Sequence, residues 1–259
     1  QNHDKAIQLK PDFAEAYCNR GNALGDLRRL DEAMLNFDKA IQLKPDFTAA
    51  YSNRGNVLKD LGQLEEALQN YGKAIQLKPD YVKAYSNLLM TLNYIPNHNT
   101  IDHIGMARKF GEIVTEKSQI HFSAYQCPPM PERLRVGFVS GDLRKHPVGY
   151  FLESVLSSID SSKIELIAYP TTPKVDDLSN RIKPSFSMWK PICGQPDEVV
   201  ANLIYTDGIH VLIDLSGHTA DNRLPMFGCR PSPVQVSWLG YFATTGLNEM
   251  DYLLGDPHV

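Results

Sequence analysis

The peptide Lys-Ala-Ile-Gln-Leu-Lys-Pro-Asp-Phe occupies Lys5–Phe13, recurs at Lys39–Phe47, and returns at Lys73–Tyr81 with Tyr in the last place. The spacing is 34 residues each time. A unit of that length cannot bury an apolar face alone, so consecutive copies must stack into a solenoid. The first third of the chain is therefore expected to be helical and to offer an extended concave surface to a partner.

Inside the unit Pro11–Lys44, Ala14, Tyr17, Gly21 and Leu24 follow the spacing of one helix, and Ala33, Phe37, Ala40 and Ile41 that of a second. Leu27–Asp31 reads as the turn between them, with Asp31 capping the second helix. Pro45 is expected in the first turn of the next unit, where proline is tolerated. Tyr51, Gly55, Ala67, Tyr71 and Ala74 repeat the order. These positions resemble the consensus of tetratricopeptide (TPR) repeats. Asn19, Asn53 and Asn87 recur at the same period, on successive first helices. They are either solvated products of repeat duplication or a ladder of amides that brackets the backbone of an extended peptide whatever its sequence.

The formal charge of −4 gives no basic footprint for nucleic acid, and no apolar run is long enough to span a bilayer. Cys18, Cys127, Cys193 and Cys229 lack metal-type spacing, which fits reduced thiols in the cytoplasm. Gln1–Lys10 reads as the second half of a further unit, so the start is expected to be cut.

The period fades after Pro79. A helix over Ile101–Lys117, capped by Thr100 or Asp102, is expected to close the solenoid, and Ser123–Pro131 to form a stiff connector. Strands are then predicted at 134–140, 164–169, 187–190, 211–215, 234–238 and 252–254, with helices near 148–158 and 196–206. Asp176-Asp177 reads as a helix cap rather than a metal site. The expected organisation is repeats over 1–94, a helix and linker over 95–131, and an α/β domain over 132–259 with a doubly wound parallel sheet.

Function in such a sheet gathers at the carboxyl ends of the strands. Three loops fall there: Gly141–His146, Ser216–Thr219 and Gly240–Gly246. They predict a cleft lined by His146, His218, Thr244 and Thr245, with backbone N–H groups near Gly240 and Gly246 available to oxyanions. Asp207 and His210 lie before a strand and read either as site residues or as a turn aspartate and a satisfied interior histidine.

Arg133–Asp142 with His146-Pro147, Asp207–His210, Asp214–Thr219, Arg230–Tyr241 and Met250–Tyr252 together resemble the amino-terminal catalytic lobe of protein O-GlcNAc transferases, the SPINDLY-type bacterial homologues most closely. Phe242-Ala243 stands where that family usually has Pro-Gly. The resemblance implies a two-lobed (GT-B) glycosyltransferase whose carboxy-terminal lobe is absent here. It implies inverting transfer of N-acetylglucosamine from UDP-GlcNAc to Ser or Thr of proteins held by the repeats, without a metal or other cofactor. With it, His146, Asp207 and His210 are expected to be catalytic, and the residues read above from the loops and the repeat, His218, Gly240, Thr244, Thr245, Gly246, Asn19, Asn53 and Asn87, to bind substrate. On that expectation the chain alone is inactive. The alternatives are a non-catalytic TPR adaptor and a transferase of the same fold using another sugar.

Overall fold

The computed structural model describes residues 2–96 and 100–255. Two compact units divide it, Gln1–Met106 and Ala107–Val259.

The first unit is a run of antiparallel helices: α1 (Asn2–Leu9), α2 (Ala14–Asp26), α3 (Leu30–Leu43), α4 (Thr48–Asp60), α5 (Leu64–Leu77) and α6 (Val82–Leu92). The repeated Lys-Pro-Asp-Phe sequence is the joint between units. The Phe13 N–H donates to the Lys10 carbonyl at 3.1 Å, and the corresponding bonds of Phe47 and Tyr81 measure 3.0 Å. Proline suits the second place of such a turn. Pro45 thus lies in the turn before α4, not in its first helical turn as expected. Each joint lysine sits over the ring it precedes, Lys44 Nζ 5.0 Å from the Phe47 centroid.

Close approach inside each pair rests on glycine. A Cβ on Gly21 would lie 2.8 Å from Phe37, and one on Gly55 2.6 Å from Tyr71. A polar staple repeats as well. Arg20 joins Asp4 of α1 to Asn36 of α3, and Arg54 joins Asp38 of α3 to Asn70 of α5. Asn36 and Asn70 in turn donate to the carbonyls of Glu32 and Glu66. Gly72 and Leu88 take the next places in the period, so the staple ends there. Asp31 does not cap α3. The helix starts one residue earlier at Leu30, as α5 does at the equivalent Leu64, and Arg29 holds Glu32 of its first turn through two 2.6 Å bonds.

α7 (Thr100–Lys117) crosses the division. It contains both Thr100 and Asp102, and residues 97–99 before it lie outside those described, so its cap does too. From Ala107 onward its buried face of Ala107, Phe110, Ile113 and Val114 belongs to the second unit.

That unit is a six-stranded parallel sheet of β1 (Leu134–Ser140), β2 (Ile164–Pro170), β3 (Met188–Trp189), β4 (Val211–Asp214), β5 (Val234–Trp238) and β6 (Tyr252–Leu254). The order is β3-β2-β1-β4-β5-β6, so the winding reverses between β1 and β4. The connecting helices are α8 (Pro147–Leu156), α9 (Asp177–Ile182), α10 (Asp197–Thr206) and α11 (Leu224–Phe227). Asp176 caps α9 in a reciprocal box with Ser179. The proline-rich segment is strapped to the unit rather than standing apart. Phe122 N–H donates to the Cys229 carbonyl and its ring stacks on Tyr205 at 4.1 Å, while the Pro128 carbonyl lies 3.1 Å from His210 Nε2.

Candidate functional site

The three loops at the carboxyl ends of β1, β4 and β5 are each built by a different device. After β1, the Ser140 hydroxyl accepts from Asp142 N–H at 2.9 Å, and Arg144 folds back to donate to the Gly141 carbonyl and the Asp142 carboxylate. The loop thereby delivers His146 to the N-cap of α8, with Pro147 at the first helical position. His146 Nδ1 accepts from Val148 N–H at 3.3 Å and stands 3.6 Å from Asp142 Oδ2. An accepting Nδ1 puts the proton of the neutral ring on Nε2. At 39% exposure the side chain remains open to a ligand.

After β4, the carboxylate of the fully buried Asp214 accepts from Ser216 N–H at 3.1 Å and Gly217 N–H at 2.7 Å, which ties the loop into a tight turn. Burial pushes the Asp214 carboxyl up to about 6, although these two bonds pull it down. Across the sheet Asp214 pairs in register with Ser237, and the buried hydroxyls of Ser216 and Ser237 have no hydrogen-bond partner. An unpaired buried hydroxyl is costly, so the carboxyl ends of β4 and β5 carry polar groups that the fold leaves unsatisfied.

The loop after β5 begins at Leu239, whose φ of 69° is an uncommon conformation for a bulky side chain and turns the chain sharply off the strand. Gly240 N–H donates to the Trp238 carbonyl at 2.8 Å. Thr244 and Thr245 then accept from the N–H groups of Gly246 and Leu247, so both hydroxyls shape the loop. Thr244 is exposed and Thr245 is buried. Gly246 meets α7 in a crossing too close for side chains. A Cβ on Gly111 would come 1.9 Å from the Gly246 carbonyl oxygen, and one on Gly246, at φ 77°, 1.9 Å from that of Ala107.

His218 does not line an open cleft. It is 2% exposed, lies edge-on to Phe110 and Tyr241, and its Nε2 lies 3.1 Å from the Thr245 carbonyl. Asp207 and His210 sit at the amino ends of the strands, the opposite edge from the three loops. Asp207 pairs with Lys190 at 2.5 Å and accepts from the Tyr169 hydroxyl at 2.7 Å. His210 Nδ1 accepts from Arg135 N–H, and its own N–H donates to the Arg135 carbonyl. The fold therefore gathers His146, His218 and the β5 loop at one edge, and leaves Asp207 and His210 outside that group. Tyr169 had no separate signal in the sequence, because its partner Asp207 lies 38 residues along the chain, while Asp142 and Asp214 bond only near neighbours, as ordinary turn aspartates also do. Among the described residues no group of three or more His, Cys, Asp or Glu could hold a metal ion, and no helix is long and apolar enough to cross a membrane.

In the first unit, Asn53 lines a concavity of about 420 Å³ together with Asn22, Asn56, Asp60 and Lys83. Asn53 donates to Cys18 Sγ at 3.7 Å and Asn87 to the Ser52 hydroxyl at 3.5 Å. Each asparagine thus reaches the preceding first helix through its amide nitrogen, and Asn19 is exposed.

Comparison with known proteins matches residues 89–259 to glycosyl transferase family 41 and residues 14–47, 36–69 and 55–88 to tetratricopeptide repeat models. A probable UDP-N-acetylglucosamine–peptide N-acetylglucosaminyltransferase SPINDLY of Solanum lycopersicum is 34% identical over 178 residues, 65% of this chain and 18% of that protein. The UDP-N-acetylglucosamine–peptide N-acetylglucosaminyltransferase of Caenorhabditis elegans is 35% identical over 133 residues, 48% of this chain and 11% of that protein. Among solved structures, a mutant O-GlcNAc transferase of Thermobaculum terrenum superposes with a TM-score of 0.90 at 35% identity, over 99% of this chain and 49% of that one. The chain thus spans less than a fifth of the curated relatives' length and about half of the solved chain.

Proposed function

Since this chain belongs to glycosyl transferase family 41 and carries tetratricopeptide repeats before the start of its catalytic domain, we propose that it works in transferring N-acetylglucosamine from UDP-GlcNAc to Ser or Thr hydroxyls of proteins. The relatives' names supply the donor and the acceptor class. The observation that carries the chemistry on this chain is His146. Its Nδ1 is held by α8 and Asp142 stands beside it.

An inverting displacement needs the acceptor hydroxyl in line with the anomeric carbon, a group to handle its proton, and donors for the departing diphosphate. His146 serves the proton. Nε2 takes it once the neutral ring holds its own proton on Nδ1, turned from Val148 toward Asp142 Oδ2, and the carboxylate then stabilises the imidazolium. Backbone N–H groups between Gly240 and Gly246 serve the diphosphate oxygens, since those two glycines already donate to the Trp238 carbonyl and the Thr244 hydroxyl. Asn19, Asn53 and Asn87 hold the acceptor as an extended strand, each amide pairing with its backbone. The four cysteines are free thiols, which supports a reducing, cytoplasmic setting.

The test is to incubate the complete gene product with an unfolded acceptor protein and, separately, UDP-GlcNAc, UDP-glucose and GDP-fucose, reading the mass added. N-acetylhexosamine on Ser or Thr is expected. Addition of fucose or a plain hexose instead, or of nothing, would sink the proposal.

A further inference from the structure

The sequence points to His218 as a residue facing substrate, yet its surroundings are those of a strut. The ring is held edge-on between Phe110 of α7, at 4.7 Å between centroids, and Tyr241 of the β5 loop, at 5.2 Å. A carbonyl oxygen only accepts, so the 3.1 Å contact requires Nε2–H to donate to Thr245. His218 thus belongs to the β4 loop, bonds the backbone of the β5 loop and packs on α7. The β5 loop otherwise meets α7 where Gly111 and Gly246 cross without room for a Cβ, and meets the β4 loop where Gly217 lies against Tyr241 and Gly240 against the Leu215 carbonyl. A second tie, from the Thr115 hydroxyl to the buried Glu249 carboxylate at 3.0 Å, fixes the far end of the β5 loop to the same helix.

We infer that His218 is a positioning residue, whose ring and Nε2–H bolt the 240–246 loop to the β4 loop and to the Ala107–Lys117 half of α7. This rests on the reading of that loop as the diphosphate subsite and adds what holds it in place. Oxyanion donors stabilise charge only when fixed in advance, and Thr244 and Thr245 order the loop through their own neighbours alone. His218 adds the side-chain hydrogen bond that ties Thr245 to the β4 loop, beside the close backbone approaches of Gly240 and Gly246. The consequence is that α7, which lies outside the sheet, forms part of the transferase site.

Hydrogen exchange followed by mass spectrometry on this chain, without any sugar nucleotide, tests the inference independently of catalysis. His218→Leu keeps the bulk and removes the donor, and His218→Gln keeps an N–H able to reach Thr245. Expected is an approximately tenfold faster exchange over residues 240–250 in H218L, with β1, β2 and α8 within about twofold of wild type, and recovery of most protection in H218Q. Unchanged exchange over 240–250 in H218L overturns the inference, as does a rise spread evenly over the second unit. Nitrogen-15 NMR of the wild type gives a reading that needs no variant. A slowly exchanging Nε2–H on His218 supports the bolt, and a ring protonated only at Nδ1 overturns it. Failure of the wild type to use UDP-GlcNAc would overturn the proposed function while leaving both results intact.

Discussion

The two units of this chain solve the burial of polar groups in opposite ways. In the repeats every device occurs more than once at the same spacing, as in Arg20–Asn36 and Arg54–Asn70, or Gly21 against Phe37 and Gly55 against Tyr71. In the α/β unit the devices occur singly: some are local, as with Asp214 and the N–H groups of Ser216 and Gly217, and others draw their partner from far along the chain, as with Thr115 and Glu249, or His218 and Thr245. Redundant short-range contacts confine damage to neighbouring helices. A site assembled from unique long-range contacts has no such reserve.

Matched glycine substitutions give the hardest test of this difference. Gly111→Ala drives a methyl into the Gly246 carbonyl, a backbone atom that cannot step aside, and is expected to cost at least about 3 kcal/mol in the second unit. Gly55→Ala meets the ring of Tyr71, which can shift, so about 1–2 kcal/mol is expected in the first. Urea melts followed separately in each unit would read both. Equal costs would remove the contrast.

Acid–base linkage sharpens it next. The folded-state value of about 6 for Asp214 lies above its ordinary 3.8, so this group's stabilisation is complete below pH 3.8 and disappears as pH rises through 6. Thermal melts from pH 4 to pH 7.5 should show wild type losing about 2 kcal/mol relative to Asp214→Asn across that window. A difference that is flat or rises with pH would contradict the burial argument. The smallest effect is expected at the staple. Arg54→Ala leaves the Asn70 carbonyl oxygen without its donor and should cost about 1 kcal/mol, felt in α3 to α5 and not in the sheet.

The same contrast explains what the sequence reveals. The six strands lie within a few residues of their expected places, because each is an apolar run bounded by turns and needs no partner to be recognised. The repeats were legible from their period alone. The half of α7 that packs in the second unit was not, since the apolar stripe of Phe110, Ile113 and Val114 states that something covers it but not what. Nor was the burial of His218, for a histidine after a strand looks the same whether it faces a ligand or a phenylalanine. Asp207 and His210 show the limit most plainly, because their partners Lys190, Tyr169 and Arg135 are joined to them only by the fold.

The central claim is that His146, at the head of α8, handles the acceptor proton in sugar transfer. It is tested most directly by the rate at which the complete gene product moves tritiated N-acetylglucosamine from UDP-GlcNAc to an acceptor protein, compared between wild type and His146→Ala. The account predicts a fall in kcat of at least about 100-fold with the donor KM within about threefold. A His146→Ala protein that turns over at the wild-type rate would contradict it.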